Sequence, residues 1–139
     1  MSVKIESGKW TTIWRKKKAS TAFVQNSFVS LTAGYVAPGD SNTGTADEPL
    51  LGVYSGPAIA SGSTTTVEIP VFVPIGPALV RATATGTLAA TDEGSGFDLS
   101  DSVTVNKAAN TYSPVTCVRY ISATEGIFSI GKSIYANVA

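Results

Sequence analysis

The sequence predicts an all-β protein, built as a small antiparallel β-barrel or β-sandwich with an extended N-terminal arm. Only 14% of the 139 residues are charged, and the chain is rich in Thr, Ser, Gly and Val, which favour strands and turns. Short apolar segments recur at roughly ten-residue intervals with turn residues between them. No stretch longer than about two turns has the apolar spacing of an amphipathic helix. We therefore expect about eight to ten short strands in one domain.

The first 20 residues differ from the rest of the chain in charge. They hold six Lys or Arg and one Glu, a net charge of +5, whereas residues 21–139 carry −5. We therefore divide the chain into a basic N-terminal arm, residues 1–20, and a single β domain, residues 21–139. A basic arm on an acidic body predicts docking onto an acidic partner surface, and the alternative is a solubilising tail.

The arm also contains two tryptophans of the same strand parity, in a segment that could form a short strand over residues 9–14. Large aromatic residues and Arg are enriched in the centres of protein interfaces. The alternative is that the tryptophans fold back as a lid on the domain. We predict partner contacts from the tryptophans and the basic run that follows them, namely Trp10, Trp14, Arg15, Lys16, Lys17 and Lys18.

The next segments read as a strand pair followed by a loop. Residues 21–36 predict two strands or one kinked strand, interrupted at Asn26-Ser27 and at Ala33-Gly34. Residues 37–49 form a polar loop that is longer than most connections, so we expect it to be either mobile or a contact loop.

The stretch over residues 50–80 organises the prediction. Residues 64–75 alternate between an apolar face and a face that carries Pro70 and Pro74, which is the pattern of a long strand. Because proline cannot donate to a sheet ladder, this strand should lie at a sheet edge or carry bulges. Residues 50–54 are its predicted partner, and Gly76-Pro77 is predicted to be a turn. The face predicted to lie at a contact between subunits contains Glu68, Pro70, Phe72 and Pro74.

The remaining strands follow from the same alternation. After the predicted turn we expect one strand at residues 78–84 and two short strands around residues 97–105. A loop should follow over residues 106–113. Residues 115–121 are apolar on both parities except for Arg119, which predicts a central strand. Residues 127–130 and 133–135 should complete the sheet.

The residue types argue against an enzyme. The chain has no histidine, which removes Ser-His-Asp triads, Cys-His pairs and most zinc sites. Cys117 is the single cysteine and lies in an apolar run, so we expect a buried, inert thiol. The neighbouring acidic residues in polar segments are expected to be solvated or to cap turns: Asp47 with Glu48, Asp92 with Glu93, and Asp98 with Asp101. We predict no catalytic residue, cofactor or metal ligand.

Residues 126–133 match the phosphate-loop pattern GxxxxGK[ST]. That chemistry needs a helix directly after the loop, whose N-terminus stabilises the phosphates. Only six residues follow Ser133, and the intervening residues favour strands, so we expect a terminal strand here and no nucleotide site.

Neither a membrane nor a nucleic acid is an expected partner. The N-terminus lacks the apolar core of a secretory signal, and the longest uncharged apolar stretch, between Glu68 and Arg81, is too short for a membrane span. We therefore expect synthesis in a cytosol. The acidic body opposes direct nucleic-acid binding by the basic run.

Three segments give the chain a family resemblance: FVSLTAGYV, PLLGVYSGPAIASGSTTTVEIPVFVP and GSGFDLSDSVTVNKAANTYSPVTCVRYI. Over residues 24–130 the chain resembles the small capsid decoration (cement, or head-stabilising) proteins of tailed bacteriophages. The shared features are an apolar-Gly-Val strand, here Leu51-Gly52-Val53, and a Gly-x-x-apolar-Asp-Leu step, here residues 94–99. The basic arm has no counterpart in that pattern.

The resemblance implies a non-enzymatic virion protein, made in the host cytoplasm and placed on the outer surface of the capsid. Such proteins form homotrimers and bridge neighbouring subunits of the major capsid protein. The arm would then contact capsid subunits. An alternative function is a ligand-binding β-module, for carbohydrate or a receptor, on a phage fibre or other surface structure.

Overall fold

The computed structural model describes residues 2–62 and 66–130, and almost all of their regular structure is β-strand. This confirms the predicted all-β class. Within those residues a short 3-10 turn at Ala90–Asp92 is the only helical element, and no helix is long and apolar enough to cross a membrane. The strands are β1 (Lys4–Lys16), β2 (Ser27–Thr32), β3 (Tyr35–Pro38), β4 (Leu50–Tyr54), β5 (Glu68–Thr85), β6 (Gly96–Leu99), β7 (Thr104–Asn106), β8 (Val115–Ser122) and β9 (Glu125–Ser129).

The C-terminal half of β5 belongs to a closed five-stranded barrel. The strand order is β5-β7-β6-β8-β9, and β9 pairs back to β5 from Leu79↔Ser129 to Thr83↔Glu125. All of these pairs are antiparallel except β5–β7, which is parallel. A parallel pair needs a long crossover, and the chain supplies one between Thr85 and Thr104. The predicted central strand is β8, which lies between β6 and β9. The barrel encloses most of a core that includes Val80, Leu99, Val115, Cys117 and Phe128.

The N-terminal half of β5 builds a second layer around its own core. It pairs with β1 on one side and with β4 at Val53↔Phe72 on the other, and β2 and β3 extend the sheet beyond β4. An isolated bridge from Lys17 to Val36 links the end of β1 to β3. The core of this half contains Phe23, Val29, Val36, Leu51, Tyr54, Ile69, Val71 and Val73.

A bulge in β5 joins the two halves. Trp10 pairs with Pro74 and Gly8 with Ala78, so two steps along β1 match four along β5. The inward parity changes there, because Val73 is buried before the bulge and Ala78 after it, while Ile75 is 53% exposed. The predicted turn at Gly76-Pro77 is therefore wrong. Of the two alternatives that the prolines predicted, the bulge is confirmed and the sheet edge is wrong, because β1 and β4 pair with β5 on both sides.

Most of the other predicted elements are confirmed. β2 and β3 form a hairpin whose turn is Ala33-Gly34, with positive φ at both residues. The strands predicted at residues 50–54, around residues 97–105 and at residues 115–121 are also present. Residues 64 and 65 of the predicted long strand, and the predicted strand at residues 133–135, lie outside the described residues.

Candidate functional site

The predicted arm lies against the domain as a 13-residue strand. β1 pairs with β5 from Lys4↔Arg81 to Lys16↔Glu68. We call the core that includes Val80 and Phe128 the first core, and the core of the N-terminal half of β5 the second core. Just before β1, Val3 is buried in the first core, and Ile13 packs against the second. The strand is longer than the predicted one at residues 9–14, and it contributes to both cores. A pairing of this length could not be read from the sequence because its partner lies more than 50 positions away.

The β1–β5 register brings the two predicted contact groups onto one surface. The opposed pairs are Trp10↔Pro74, Thr12↔Phe72, Trp14↔Pro70 and Lys16↔Glu68. Their side chains share one face because strand residues alternate, and the intervening Ile69, Val71 and Val73 are buried on the other. We call these eight residues the tryptophan–proline face.

Exposure varies along the tryptophan–proline face. Trp14 is 61% exposed, and Pro70 and Phe72 are half-buried. Trp10 is largely anchored: it packs against the first core, and its Nε1 donates a hydrogen bond of 3.0 Å to the Ser7 carbonyl oxygen. Pro74 is buried. The accessible centre of the face is therefore Thr12, Trp14, Pro70 and Phe72.

The two prolines determine which backbone groups of β1 are unused. Pro70 and Pro74 have no N–H, so their pairs with Trp14 and Trp10 cannot exchange hydrogen bonds in both directions. The bonding residues of this part of β1 are therefore the odd-numbered ones, and Lys17 N–H indeed donates to the Val67 carbonyl at 3.0 Å.

The even-numbered residues of β1 point their backbone groups away from β5. Lys18 N–H follows this direction and donates to the Val36 carbonyl of β3 at 2.8 Å. Between residues 10 and 16 no strand of the described chain pairs with this side of β1. The edge thus offers the N–H and C=O groups of Trp10, Thr12 and Trp14 and the N–H of Lys16, which is a template for an added strand; the Lys17–Val36 bridge uses the Lys16 carbonyl.

A small apolar cavity lies beside the accessible centre of the tryptophan–proline face. Its volume is about 260 Å³, and its lining includes Thr12, Pro70 and Phe72, with Ser55 and Gly56 from the loop after β4. The Tyr54 hydroxyl holds this loop by donating to the Pro57 carbonyl at 2.6 Å. Burial raises the pKa of Tyr54, which keeps the hydroxyl a neutral donor. We call this cavity the Phe72 socket.

A second, wider cleft lies where β1 approaches the β2–β3 turn. It has a volume of about 430 Å³ and is lined by Trp14, Arg15, Lys16, Ala33, Gly34, Tyr35 and Glu68. Tyr35 is 39% exposed. We call this second cavity the Trp14–Tyr35 cleft. Sequence spacing gave no sign of an aromatic platform, because the two rings come from strands that meet only through the fold.

Lys17 stands apart from its basic neighbours. It is 1% exposed, and its Nζ makes no hydrogen bond within the described residues. Lys16 and Lys18 are exposed on either side of it. Lys17 lies on the same face of the strand as Ile13, which packs inward. This alternation is the sequence signal that predicts the burial of Lys17. Because its side chain is buried, Lys17 is not accessible for the partner contact that the sequence analysis predicted.

The residues singled out for other chemistry have structural roles. Asp98 is buried and caps a turn, accepting from the backbone N–H groups of Thr111, Tyr112 and Ser113 at 3.1, 2.7 and 2.8 Å. This confirms its predicted turn-capping role. Cys117 is buried, and desolvation raises the pKa of its thiol. Residues 126–129 of the phosphate-loop pattern lie in β9, and residues 131–133 are outside the described chain.

The described residues contain no group of three or more His, Cys, Asp or Glu side chains that could hold a metal ion. Comparisons of the chain with protein-family models, curated proteins and solved structures found no match. The fold and the site thus define an all-β protein with an exposed aromatic face beside an open strand edge.

Proposed function

We propose that this protein is a structural virion protein that binds the outer surface of a tailed-phage capsid and stabilises it by bridging neighbouring major capsid subunits. The observation that carries the proposal is the position of the tryptophan–proline face directly beside the open edge of β1. An edge provides backbone hydrogen bonds to an incoming strand, and pockets beside it select side chains. The family resemblance supplies the class of partner.

Binding would combine strand addition with an apolar anchor. An extended capsid segment would pair with the unused backbone groups of residues 10–16, and one of its apolar side chains would fill the Phe72 socket. Trp14 would close over the contact and exclude water, as rim residues do around a buried anchor. The exposed basic side chains of β1 and Lys18 favour an acidic segment.

The arrangement also disfavours pairing of two copies through the same edge. Residues 1–20 carry a net charge of +5, so two arms side by side would repel each other. The face of Glu68, Pro70, Phe72 and Pro74, which the sequence analysis placed at the contact between subunits, lies beside Trp14, so we propose that it contacts the capsid and that copies associate as homotrimers through other surfaces. Sedimentation equilibrium of the free protein tests this, with a mass of three chains as the expected result.

Co-sedimentation with expanded capsids that lack this protein tests the proposed function. The full chain should bind at a fixed number of copies per capsid. Phe72→Ala empties the socket wall and should weaken binding about tenfold, which corresponds to about 1.4 kcal/mol. Val118→Ala, at an exposed position on β8, is the matched control and should bind as the wild type does.

Point variants test the site better than removal of the arm. A chain beginning at residue 21 would lack β1, which contributes Val3 and Ile13 to the two cores. Its loss of binding could reflect unfolding. Binding of Phe72→Ala equal to that of the wild type would contradict the proposed site, and failure of the wild type to bind at a fixed ratio would contradict the function.

A further inference from the structure

The loop wall of the Phe72 socket is fixed in the free protein. This wall is Ser55 and Gly56, and the hydrogen bond from the Tyr54 hydroxyl to the Pro57 carbonyl, of 2.6 Å, holds it against β4. A Cβ on Gly56 would lie 2.6 Å from the Tyr54 hydroxyl oxygen, so the loop packs directly on that side chain. Tyr54 is itself part of the second core. A cavity with a fixed wall favours a rigid occupant, because little ordering is needed on binding.

The opposite wall of the socket belongs to β5 and consists of Pro70 and Phe72. Phe72 is held on both sides, because it pairs with Thr12 of β1 and with Val53 of β4. The side chains of proline and phenylalanine are rings without polar atoms, so they offer apolar contact and no hydrogen bond. An aromatic ring gains more on such a wall than an aliphatic side chain of the same area, because two aromatic rings also attract electrostatically.

The volume of the socket, about 260 Å³, fits a single ring. A cavity of about 150 Å³ accommodates benzene, and sites for drug-sized molecules begin at about 300 Å³. One benzene ring with its linking methylene and one further substituent therefore fills the socket. A side chain as small as alanine or valine would leave part of it empty, and an unfilled apolar cavity loses packing contacts.

We propose that the Phe72 socket takes an aromatic side chain, phenylalanine or tyrosine, from the capsid segment that pairs with the open edge of β1. This inference rests on the proposed function and adds the identity of the anchor. Thr12 links the two features, because it lines the socket and its backbone N–H and C=O belong to the open edge. The anchor is therefore the residue of the added strand that lies opposite Thr12.

The distance from the added strand to the socket also selects a long side chain. Neighbouring strands lie about 4.8 Å apart, so a residue opposite Thr12 is about 10 Å from Phe72, across β1. An aromatic side chain extends toward the socket with only two rotatable bonds to order. Methionine is the competing occupant, because it is also long, but it has three such bonds to immobilise and no ring to pack on Phe72.

Amide chemical shifts of the full chain test the proposal with p-cresol, the side-chain analogue of tyrosine, as the probe. Methylcyclohexanol, its fully hydrogenated form, is the matched control ligand because it has the same carbon skeleton and hydroxyl without the aromatic ring. p-Cresol should shift the amides of Thr12, Gly56 and Phe72 and bind about fivefold more tightly than methylcyclohexanol. Equal affinities, or shifts confined to other residues, would overturn the proposal.

Phe72→Leu separates the ring from the apolar character of the wall. This variant keeps an apolar side chain in the socket, so it should bind p-cresol and methylcyclohexanol with equal affinity. Val118→Ala, on β8, should keep the fivefold preference of about the wild-type size. If Phe72→Leu kept that preference, the Phe72 ring would not be its source and the proposal would be overturned.

Competition on expanded capsids separates this inference from the proposed function. At about ten times its dissociation constant, p-cresol should weaken capsid binding about tenfold, and methylcyclohexanol at the same concentration about threefold. Capsid binding that p-cresol leaves unchanged would overturn the aromatic anchor while the proposed function stands. If the protein bound p-cresol but not capsids, the proposed function would fail, and the capsid could not be the source of the ring.

Discussion

Trp14 on β1 lies directly opposite Pro70 on β5, and this pair shows which residues of β1 hydrogen-bond to β5. Because Pro70 has no N–H, the hydrogen bonds of the ladder pass through the residues on either side of the pair. The backbone of Trp14 therefore faces away from β5, while its ring stands on the outer surface with the proline. The Trp14 side chain and the open edge of β1 are therefore accessible at the same position along the strand.

Proline substitution in β1 should have opposite consequences at neighbouring positions. Thr12→Pro removes an N–H that points to the open edge, so the β5 ladder stays intact and the fold is retained. It should abolish strand addition and weaken capsid binding by about tenfold or more. Circular dichroism and urea unfolding report the fold, and co-sedimentation reports binding.

Thr11→Pro is the matched comparison. Thr11 pairs with Val73 in the bonding set of residues, so this proline should break the ladder to β5 and cost about 1–3 kcal/mol of unfolding free energy. If Thr12→Pro were the more destabilised of the two variants, the assigned direction of the backbone groups would be wrong.

Removal of the buried amine of Lys17 should stabilise the protein. The Lys17 Nζ is buried and makes no hydrogen bond within the described chain, whereas Met fills a similar volume without a polar group. Lys17→Met should raise the unfolding free energy by about 1–3 kcal/mol in urea titrations. Lys16→Met, at an exposed position, should change it by less than about 0.5 kcal/mol. A destabilised Lys17→Met would show that the ammonium group has a favourable environment.

Gly52 should tolerate no side chain. Strands β4 and β5 approach so closely there that a Cβ on Gly52 would overlap the carbonyl oxygen of Phe72. Gly52→Ala should therefore separate the strands, lower the unfolding free energy by about 2 kcal/mol or more, and disturb the Phe72 socket. Gly62→Ala is the control because a Cβ there meets nothing within 4 Å. Equal stability of the two variants would contradict the close approach.

The Arg81–Glu125 pair should make a small, pH-dependent contribution to stability. The hydrogen bond from Arg81 Nε lowers the pKa of Glu125, and the nearby positive charges lower it further. A carboxylate with a depressed pKa stabilises the folded state above its unfolded pKa, and this contribution is lost as the pH falls through the folded value.

Glu125→Gln should therefore unfold at a lower urea concentration than the wild type at neutral pH, and the difference should vanish in acid. The effect should be small because both side chains are partly exposed. Asp47→Asn, on an exposed loop, controls for the change in net charge. A difference that persists in acid would mean that Glu125 acts through packing.

Local patterns were sufficient to predict the strands and the partners that lie close in sequence, namely β2 with β3 and β4 with β5, but not the pairing of β1 with β5. Alternation in β5 and the turn residues at Ala33-Gly34 identify elements because they depend on neighbouring residues alone. The Gly76-Pro77 pair misled because the same dipeptide suits a turn and a bulge. The difference lies in β1: Gly8, with φ of 111°, comes so close to the Pro77 carbonyl that only glycine fits, and β5 continues through the bulge without a turn.

The candidate site was predicted residue by residue but not as a surface. The tryptophans and the proline-bearing face of β5 were singled out separately, and only the β1–β5 register places Trp14 beside Pro70 and Phe72 near Thr12. Lys17 was misplaced because a run of four basic residues suggests a solvated segment, although strand alternation turns one of them inward. Tyr35 was not placed at the site, since its contribution depends on tertiary structure.

Backbone amide hydrogen exchange in the free and the capsid-bound protein tests the central claim most directly. In the free protein the amides of Thr11, Ile13 and Arg15 should be protected by the β5 ladder, whereas those of Thr12, Trp14 and Lys16 should exchange rapidly. On the capsid the second set should become protected, because the added strand supplies their acceptors. If the second set stayed unprotected on capsids to which the protein is bound, strand addition at β1 would be contradicted.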